Sequence, residues 1–269
     1  MPETSRLKLR SAGLSDVGRK RSSNEDSFAI APDFNLLVVA DGMGGHAAGE
    51  VASRLAVESI ERHISGSDPR REPTYPASFR YPRDEEAKLP VPARRLLNAI
   101  RLANQEIVRA VRKNKSQRGM GTTVVIAQVH GTRAYIGSVG DSRAYLVRGS
   151  SIKQLTSDHT FVNEQVRTGA LTVEEARRHP ARNILTRAVG SQEEVEADIV
   201  EQDLKPGDRL LLCSDGLTTM AEDDQILAAI RSSPDDPEAA CRALIALANE
   251  KGGEDNVTAV LLYAGPSSN

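Results

Sequence analysis

The stretch Leu36-Leu37-Val38-Val39-Ala40-Asp41-Gly42 decides how the chain is interpreted. Its apolar residues form a short continuous run, which is typical of a strand that is buried on both faces. The run stops where an acidic side chain, Asp41, meets Gly42, and a glycine lets a ligand approach the backbone closely. The sequence therefore predicts a core strand whose end carries a functional group.

The same ending recurs along the chain. Apolar strands also stop at Gly140-Asp141-Ser142 and at Ser214-Asp215-Gly216, and a fourth acid, Asp255, shortly precedes the last predicted strand, residues 257–263. Carboxylates that converge without basic partners repel one another unless a cation lies between them. Oxygen ligands select hard divalent ions such as Mg²⁺ or Mn²⁺. Zinc is disfavoured because the chain has no HExxH motif and no Cys/His cluster.

Two other interpretations stay open on these residues alone. Each Asp beside a small residue is also what a turn or a helix cap requires. In addition, Gly42-x-Gly44-x-x-Ala47 follows a strand and opens a helix, as a dinucleotide-binding fingerprint does. Against the fingerprint, Asp41 would place a negative charge beside the pyrophosphate, and a Pro-rich segment follows the helix where a second parallel strand is required.

Composition excludes several classes of function. The 269 residues are 39% hydrophobic and 27% charged, as in globular domains. A net charge of -2 offers no basic excess for nucleic acid, and 3% aromatic residues without Trp offer few stacking platforms. No run reaches the roughly 20 apolar residues of a membrane helix, and the N-terminus lacks the apolar core of a signal peptide. We expect a cytoplasmic protein with no membrane span and no nucleic-acid partner.

The two cysteines indicate no chemistry of their own. Cys213 and Cys241 form no CxxC pair, and Cys213 ends an apolar run, which favours a buried thiol. A disulfide framework is excluded, in agreement with a reducing compartment.

The order of predicted elements indicates an α+β fold. Helices come in pairs between groups of strands, which argues against a doubly wound parallel sheet and for sheets packed between helical layers. The predicted helices are residues 47–64, 96–110, 222–231 and 237–250, and the predicted strands are residues 27–31, 35–40, 121–129, 133–139, 143–147, 208–213 and 257–263. No internal repeat divides residues 1–269, which we interpret as a single domain.

Two segments interrupt this pattern. Residues 66–92 hold six of the thirteen prolines and read as a Pro-rich surface insertion, either a solvated loop or a peptide-docking segment. Residues 158–190 are polar, with short helical patches such as residues 172–178.

Six motifs, in this order, resemble those of the bacterial metal-dependent protein phosphatases (PPM, type 2C). They are Arg21-Ser22-Ser23-Asn24-Glu25-Asp26-Ser27, Val39-Ala40-Asp41-Gly42-Met43-Gly44-Gly45-His46, Gly119-Met120-Gly121-Thr122-Thr123, Gly140-Asp141-Ser142-Arg143, Ser214-Asp215-Gly216 and Glu254-Asp255-Asn256. The resemblance covers about residues 8–263, apart from the insertion. It implies a four-layer α-β-β-α sandwich of two antiparallel sheets flanked by helix pairs, and hydrolysis of phosphoserine and phosphothreonine in proteins.

The resemblance also implies the metal ligands. Asp41 would bridge two Mn²⁺ or Mg²⁺ ions, and Gly42 would give its backbone carbonyl to one of them. Asp215 and Asp255 would complete the other, and Asp141, together with Asp215, would hold a third, weaker ion. A hydroxide bridging the two core ions would then attack phosphorus, because paired cations lower the pKa of water between them.

Further residues follow from the same resemblance. Arg21 would grip the substrate phosphate with its bidentate fork. Glu25 and Asp26 would lie around the site through water. Animal members of the family often carry His directly after the bridging Asp-Gly, but this chain has Met43 there and His46 three residues later. The acid for the leaving group is therefore unassigned, with a metal-bound water and His46 as the candidates.

The resemblance extends to partners and setting. Residues 158–190 resemble the flap beside the active site of bacterial members, which we expect to shape the choice of protein substrate. The implied partners are phosphorylated proteins, the targets of a bacterial Ser/Thr kinase, and the chain is expected to be a monomer. The alternative is a pseudophosphatase, a binding module that has kept the fold and lost turnover. Because the mechanism needs no covalent phosphoenzyme, Cys213 is not expected to be a nucleophile.

Overall fold

The structure, a computed structural model, describes residues 7–44, 47–66, 86–114 and 117–266. Within these ranges the chain forms eleven strands and seven α-helices. The strands are β1 (Lys8–Asp16), β2 (Asp26–Ala31), β3 (Leu36–Met43), β4 (Gly121–Thr122), β5 (Val124–His130), β6 (Arg133–Val139), β7 (Arg143–Arg148), β8 (Ser151–Gln154), β9 (Asp198–Asp203), β10 (Arg209–Cys213) and β11 (Val257–Gly265). The helices are α1 (Ala47–Ser65), α2 (Val91–Lys113), α3 (Phe161–Arg167), α4 (Val173–Arg178), α5 (Asp215–Thr218), α6 (Asp223–Arg231) and α7 (Pro237–Glu250).

The strands form two antiparallel sheets. The β3 sheet has the order β2-β3-β5-β6-β9, with β4 paired to β3, and the β10 sheet has the order β1-β11-β10-β7-β8. Every described pairing in both sheets is antiparallel. The prediction of an α+β fold without a parallel sheet is therefore confirmed.

Side-chain alternation along the strands builds the layers. On β3, Leu36 and Val38 pack against helices α1 and α2, while Leu37 and Val39 point into the space between the two sheets. A strand that is buried on both faces needs no polar alternation, and this explains the continuous apolar run of β3.

The second sheet follows the same rule. Leu211 and Cys213 on β10 pack against α6 and α7, whereas Leu210 and Leu212 meet the β3 sheet. The predicted α-β-β-α sandwich is thus confirmed, with one apolar layer between the sheets and one under each helix pair. Cys213 and Cys241 are both buried and unbonded, and burial raises the pKa of each thiol to about 12.

Three strands were not predicted from the sequence, and all three lie at sheet edges. β1 and β8 bound the β10 sheet, and β9 bounds the β3 sheet. Edge strands are half exposed, so they mix polar with apolar residues, as in Ser151–Gln154 of β8. The continuous apolar run that identified the central strands is therefore absent from them.

The Pro-rich segment, residues 66–92, falls mostly outside the described residues, which resume at Glu86. Helix α2 begins at Val91, so the end of the predicted insertion belongs to a helix. Pro92 lies in the first turn of α2, where its missing N–H leaves no hydrogen bond unmade. None of the helices in the described ranges combines the length and the apolar character needed to cross a bilayer.

Candidate active site

Acidic residues from both sheets gather at one end of the sandwich. Asp41 lies near the end of β3, directly opposite Asp26 at the start of β2. Asp141 lies in the short connection between β6 and β7, where the chain passes from one sheet to the other. Asp215 follows β10, and Asp255 precedes β11. The structure thus brings together the four strand-end acids that the sequence predicts.

The pKa values of these acids show how strongly they interact. Burial raises the pKa of Asp41 well above its ordinary range, and Asp26, Asp215, Asp141 and Asp255 raise it further through like-charge repulsion. Burial and then the charge of Asp215 raise the pKa of Asp141 to about 7. Burial and then Asp255 raise the pKa of Asp215. Mutual repulsion of this kind requires the carboxylates to face a common space.

The donors at this site suit a hard divalent cation. Asp215 Oδ1 and Asp26 Oδ1 are buried oxygens with no hydrogen-bond partner in the described part of the chain. Within the described ranges, no three His, Cys, Asp or Glu side chains already form a closed metal-binding group. The observations that mark the site are therefore the repulsion among acids from separate strand ends and these buried, unpaired oxygens. Carboxylate and carbonyl oxygens select Mg²⁺ or Mn²⁺ rather than zinc.

Two threonines hold the backbone of Asp41. Thr122 Oγ1 donates a hydrogen bond to the Asp41 carbonyl at 2.8 Å, and the Thr123 N–H donates to the same carbonyl at 2.8 Å. The Asp41 N–H donates to Thr123 Oγ1 at 3.0 Å, and that hydroxyl pairs at 2.7 Å with Ser142, beside Asp141. The sequence contains these residues in two of its motifs, but no local pattern indicated that they connect Asp41 to Asp141.

Gly42 and Gly216 lie where no side chain fits. A Cβ at Gly42 would lie 2.1 Å from the carbonyl oxygen of Gly49, in the first turns of α1. A Cβ at Gly216 would lie 2.0 Å from the carbonyl oxygen of Asn256. Both glycines therefore permit a close approach of the chain's own backbone beside an acid of the site, whereas the predicted approach of a ligand to these glycines stays a prediction.

Arg21 lies at the rim of the site on an exposed loop. Its Nη2 donates to Asp255 Oδ2 at 2.7 Å, and its side chain is 55% exposed. The charge of Asp255 raises the pKa of Arg21, so the guanidinium stays protonated. Asn256 anchors the loop, because its Nδ2 donates to the carbonyls of Val17 and Ser23 at 2.9 Å each. The sequence places Asn256 in a motif but does not indicate this role.

Glu25 and Asp26 occupy different environments. The Glu25 carboxylate lies against Gly49, since a Cβ added there would be 2.0 Å from its Oε2. Asp26 is only 8% exposed and lies behind Asp41. Burial raises the pKa of Asp26 to about 7. Their predicted link to the site through water stays a prediction, and His46 lies outside the described residues.

His159 joins residues 158–190 to the Asp141 corner. Its backbone N–H donates to the Gly140 carbonyl at 2.9 Å, and the Gly140 N–H donates to its Nδ1 at 3.0 Å. Because Nδ1 accepts, the ring hydrogen is assigned to Nε2, which lies 3.2 Å from Asp198 Oδ2. The segment carries α3 and α4 and is closed at its base by a β-bridge between Thr160 and Leu185.

The dinucleotide interpretation of residues 42–47 is wrong. Strand β3 is followed by helix α1, as the fingerprint requires. The α-helix that comes after α1 is α2, however, where a parallel strand is required, and β3 has antiparallel neighbours on both sides. A dinucleotide site requires a parallel βαβ unit at this point.

Comparison with known proteins agrees with this geometry. The profile of the family Protein phosphatase 2C matches residues 17–251. Serine/threonine protein phosphatase PstP of Mycobacterium tuberculosis is 40% identical over 255 residues, which cover 95% of this chain and 45% of PstP. Serine/threonine phosphatase stp of Listeria innocua is 39% identical over 253 residues, which cover 92% of each chain. This chain therefore spans less than half the length of the first relative and nearly all of the second.

Solved structures agree as well. The crystal structure of the PstP catalytic domain in complex with two manganese ions superposes with a TM-score of 0.80 at 35% identity, and covers 96% of this chain and 99% of that chain. One conclusion accounts for the order of the motifs, for the sandwich of two antiparallel sheets and for the acids at one end of both sheets. The chain belongs to the protein phosphatase 2C family.

Proposed function

We propose that this chain is a Mn²⁺- or Mg²⁺-dependent phosphatase that hydrolyses phosphoserine and phosphothreonine in proteins. The observation that carries the proposal is the convergence of Asp41, Asp141, Asp215 and Asp255 from two sheets onto one space. The family membership of the chain and the manganese ions in the PstP structure support it.

In this proposal the strand-end oxygens hold the ions. Asp41 is shared by two core ions, the Gly42 carbonyl serves one, and Asp215 and Asp255 serve the other. Asp141 and Asp215 would hold a third, weaker ion. When bound, such ions act as Lewis acids and make a hydroxide nucleophile available near neutral pH.

The chain's own residues then bind and orient the substrate. Arg21 is charged, exposed and beside Asp255, and these features support a role in which its guanidinium binds the oxygens of a phosphate group at the rim. Thr122 and Thr123 keep the Asp41 backbone in place while the charge on the phosphate changes. Asp41, Asp141 and Asp215 all remain partly exposed, which supports access of a phosphorylated side chain to the acids from solvent.

We place this activity in the cytoplasm, where the chain would remove phosphate groups that a bacterial Ser/Thr kinase has added to proteins. The names of the relatives support phosphoprotein substrates. A monomer suffices, because one chain supplies every acid of the site. The two buried, unbonded cysteines agree with a reducing compartment.

Metal dependence tests the proposal directly. We expect the purified chain to hydrolyse both an aryl phosphate and a phosphothreonine peptide with Mn²⁺, and to lose both activities on chelation. Mn²⁺ at 100 times its Kd should also stabilise the fold by about 2.7 kcal/mol, because it binds only the folded state. The measurements are phosphate release and the unfolding midpoint in paired samples. If excess Mn²⁺ stabilises the fold but neither substrate turns over, the chain is a pseudophosphatase and the proposal is wrong.

We also propose that residues 158–190 form a flap that selects protein substrates. The bridge between Thr160 and Leu185 brings the ends of the intervening segment together, so a short Gly-Ser linker can replace residues 162–183. The removed part presents one large apolar side chain to solvent among the described residues, Val173, which is 51% exposed. We expect the deletion to lower kcat/KM for a phosphoprotein at least about tenfold, equivalent to ~1.4 kcal/mol, and to leave aryl phosphate hydrolysis within about threefold. Equal losses on both substrates would refute a role in selection.

A further inference from the structure

The two halves of the site belong to different sheets, and the layer between those sheets is apolar. Asp41 stands on the β3 sheet, whereas Asp215 and Asp255 flank strands of the β10 sheet. Between the sheets, aliphatic side chains such as Val39 and Leu212 pack together. Apolar contacts are non-directional, so they resist separation of the sheets more than small sliding movements. A metal site needs its ligands held within about 0.5 Å, and directional bonds between the sheets add to what apolar packing provides.

Hydrogen bonds connect the two sheets next to the acids of the site. Asp26, opposite Asp41 on β2, accepts hydrogen bonds at its Oδ2 from Ser214 Oγ and from Thr258 Oγ1, at 2.7 Å each. Ser214 directly precedes Asp215, and Thr258 lies on β11, shortly after Asp255. Both hydroxyl groups belong to residues with no exposed surface. One carboxylate oxygen thus connects the Asp41 half of the site to the other half.

The hydrogen atoms of this network have no freedom. The Ser214 hydroxyl donates to Asp26 and accepts from the Thr258 N–H at 3.0 Å. The Thr258 hydroxyl also donates to Asp26, so Ser15 is the donor in its 2.7 Å bond with Thr258. Asn24 Nδ2 in turn donates to Ser15 Oγ at 2.8 Å. A buried network in which each hydroxyl has its partners is rigid, because any rotation leaves a polar group unsatisfied.

We propose that Asp26, Ser214 and Thr258 form a cross-sheet clamp, which sets the spacing between Asp41 and the acids of the β10 sheet and thereby the affinity for divalent ions. Ser214 and Thr258 act as positioning residues, since their hydroxyls bind Asp26 and not the substrate. This inference rests on the proposed function in that it takes these acids as the metal ligands.

Loss of the clamp and loss of a merely stabilising network can be told apart by their effects on stability and on Mn²⁺ affinity. A structural role lowers only the free energy of unfolding. A positioning role weakens Mn²⁺ binding beyond what the same loss of stability produces elsewhere. Thr156 provides the comparison for Thr258, because it is also a buried threonine, and its Oγ1 accepts from the Ala144 N–H at 3.1 Å, outside the clamp.

The experiment measures the Mn²⁺ affinity of the full chain by titration calorimetry, alongside urea unfolding in chelator. The variants are Thr258→Val, which removes the hydroxyl at nearly constant volume, Thr258→Ser, which retains it, Ser214→Ala, and Thr156→Val as the control. We expect Thr258→Val and Ser214→Ala to weaken Mn²⁺ binding about 10- to 100-fold, the usual effect of losing the partners of metal ligands. Thr258→Ser should stay within about threefold of the unaltered chain, and Thr156→Val should lose stability but not affinity.

The possible results separate the clamp from the proposed function. If the unaltered chain binds no Mn²⁺ and hydrolyses nothing, the proposed function fails. If it binds Mn²⁺ and turns over, but Thr258→Val and Ser214→Ala bind Mn²⁺ equally well, the clamp is overturned. The clamp is also overturned if Thr156→Val weakens binding as much as Thr258→Val. Should Thr258→Val not fold, Ser214→Ala against the same control decides the question.

Discussion

Asp41→Asn is expected to lower kcat/KM for a phosphothreonine peptide by at least about 10³-fold, a loss of ~4 kcal/mol of transition-state stabilisation. The reason is that Asp41 faces all the other acids of the site, since Asp26, Asp215, Asp141 and Asp255 each raise its pKa. A neutral amide keeps the shape of the side chain but removes the charge that two cations would share. Phosphate release at saturating Mn²⁺ measures the effect.

The same substitution is expected to stabilise the chain in the presence of chelator. The pKa of folded Asp41 lies above its unfolded value, so its ionisation destabilises the fold once the pH exceeds the unfolded value of about 4. Asp41→Asn should therefore unfold at a higher temperature than the unaltered chain at pH 7.5, and this advantage should vanish as the pH falls toward 4. Thermal unfolding in chelator at both pH values measures it.

Asp33→Asn provides the matched control for Asp41→Asn. Asp33 is an exposed acid at the other end of the β2–β3 pair, and its amide should change neither activity nor unfolding temperature appreciably. If Asp41→Asn keeps more than a tenth of the activity, Asp41 is not the shared ligand. If it loses activity but also unfolds more easily in chelator, a folding defect accounts for the loss.

Arg143→Met is expected to lower the free energy of unfolding by about 3–5 kcal/mol, the usual cost of breaking a buried ion pair from one side. Arg143 Nη2 and Nε donate to Asp158 Oδ2 and Oδ1 at 2.6 and 2.9 Å, and Nη1 donates to the Tyr145 hydroxyl at 2.9 Å. The two charged side chains are 27% and 14% exposed. Without the arginine, the Asp158 carboxylate stays largely buried, and the Gln154 amide, which donates to its Oδ1 at 2.9 Å, offsets little of its charge. Urea unfolding at pH 7.5 measures the loss.

Two further variants test this explanation. Arg143→Lys keeps the charge but loses the planar fork, so its loss of stability should be intermediate. The double variant Arg143→Met with Asp158→Leu removes both charges and should recover most of the stability, because no isolated charge remains buried. A loss of less than 1 kcal/mol in Arg143→Met would show that the pair contributes little.

Much of the fold could be predicted because burial leaves a local pattern. β3 and β10 are apolar on both faces, and they appear in the sequence as continuous runs that end at Asp41 and Asp215. The edge strands β1, β8 and β9 could not be predicted in this way, because a strand with one exposed side is specified by its neighbour and not by its own apolar content. The sequence predicts this helix from residue 96, whereas α2 begins at Val91 inside the Pro-rich segment, because a proline in the first turn is compatible with a helix.

The acids at the strand ends could be predicted from the sequence, because a strand end is a local feature and a motif is a local string. The groups that hold those acids in place are specified by the packing of the two sheets. Asp26 meets Ser214 across 188 positions of sequence and Thr258 across 232. Such partners share no local period, and a hydroxyl acquires a unique acceptor only when two sheets have packed and excluded water from between them.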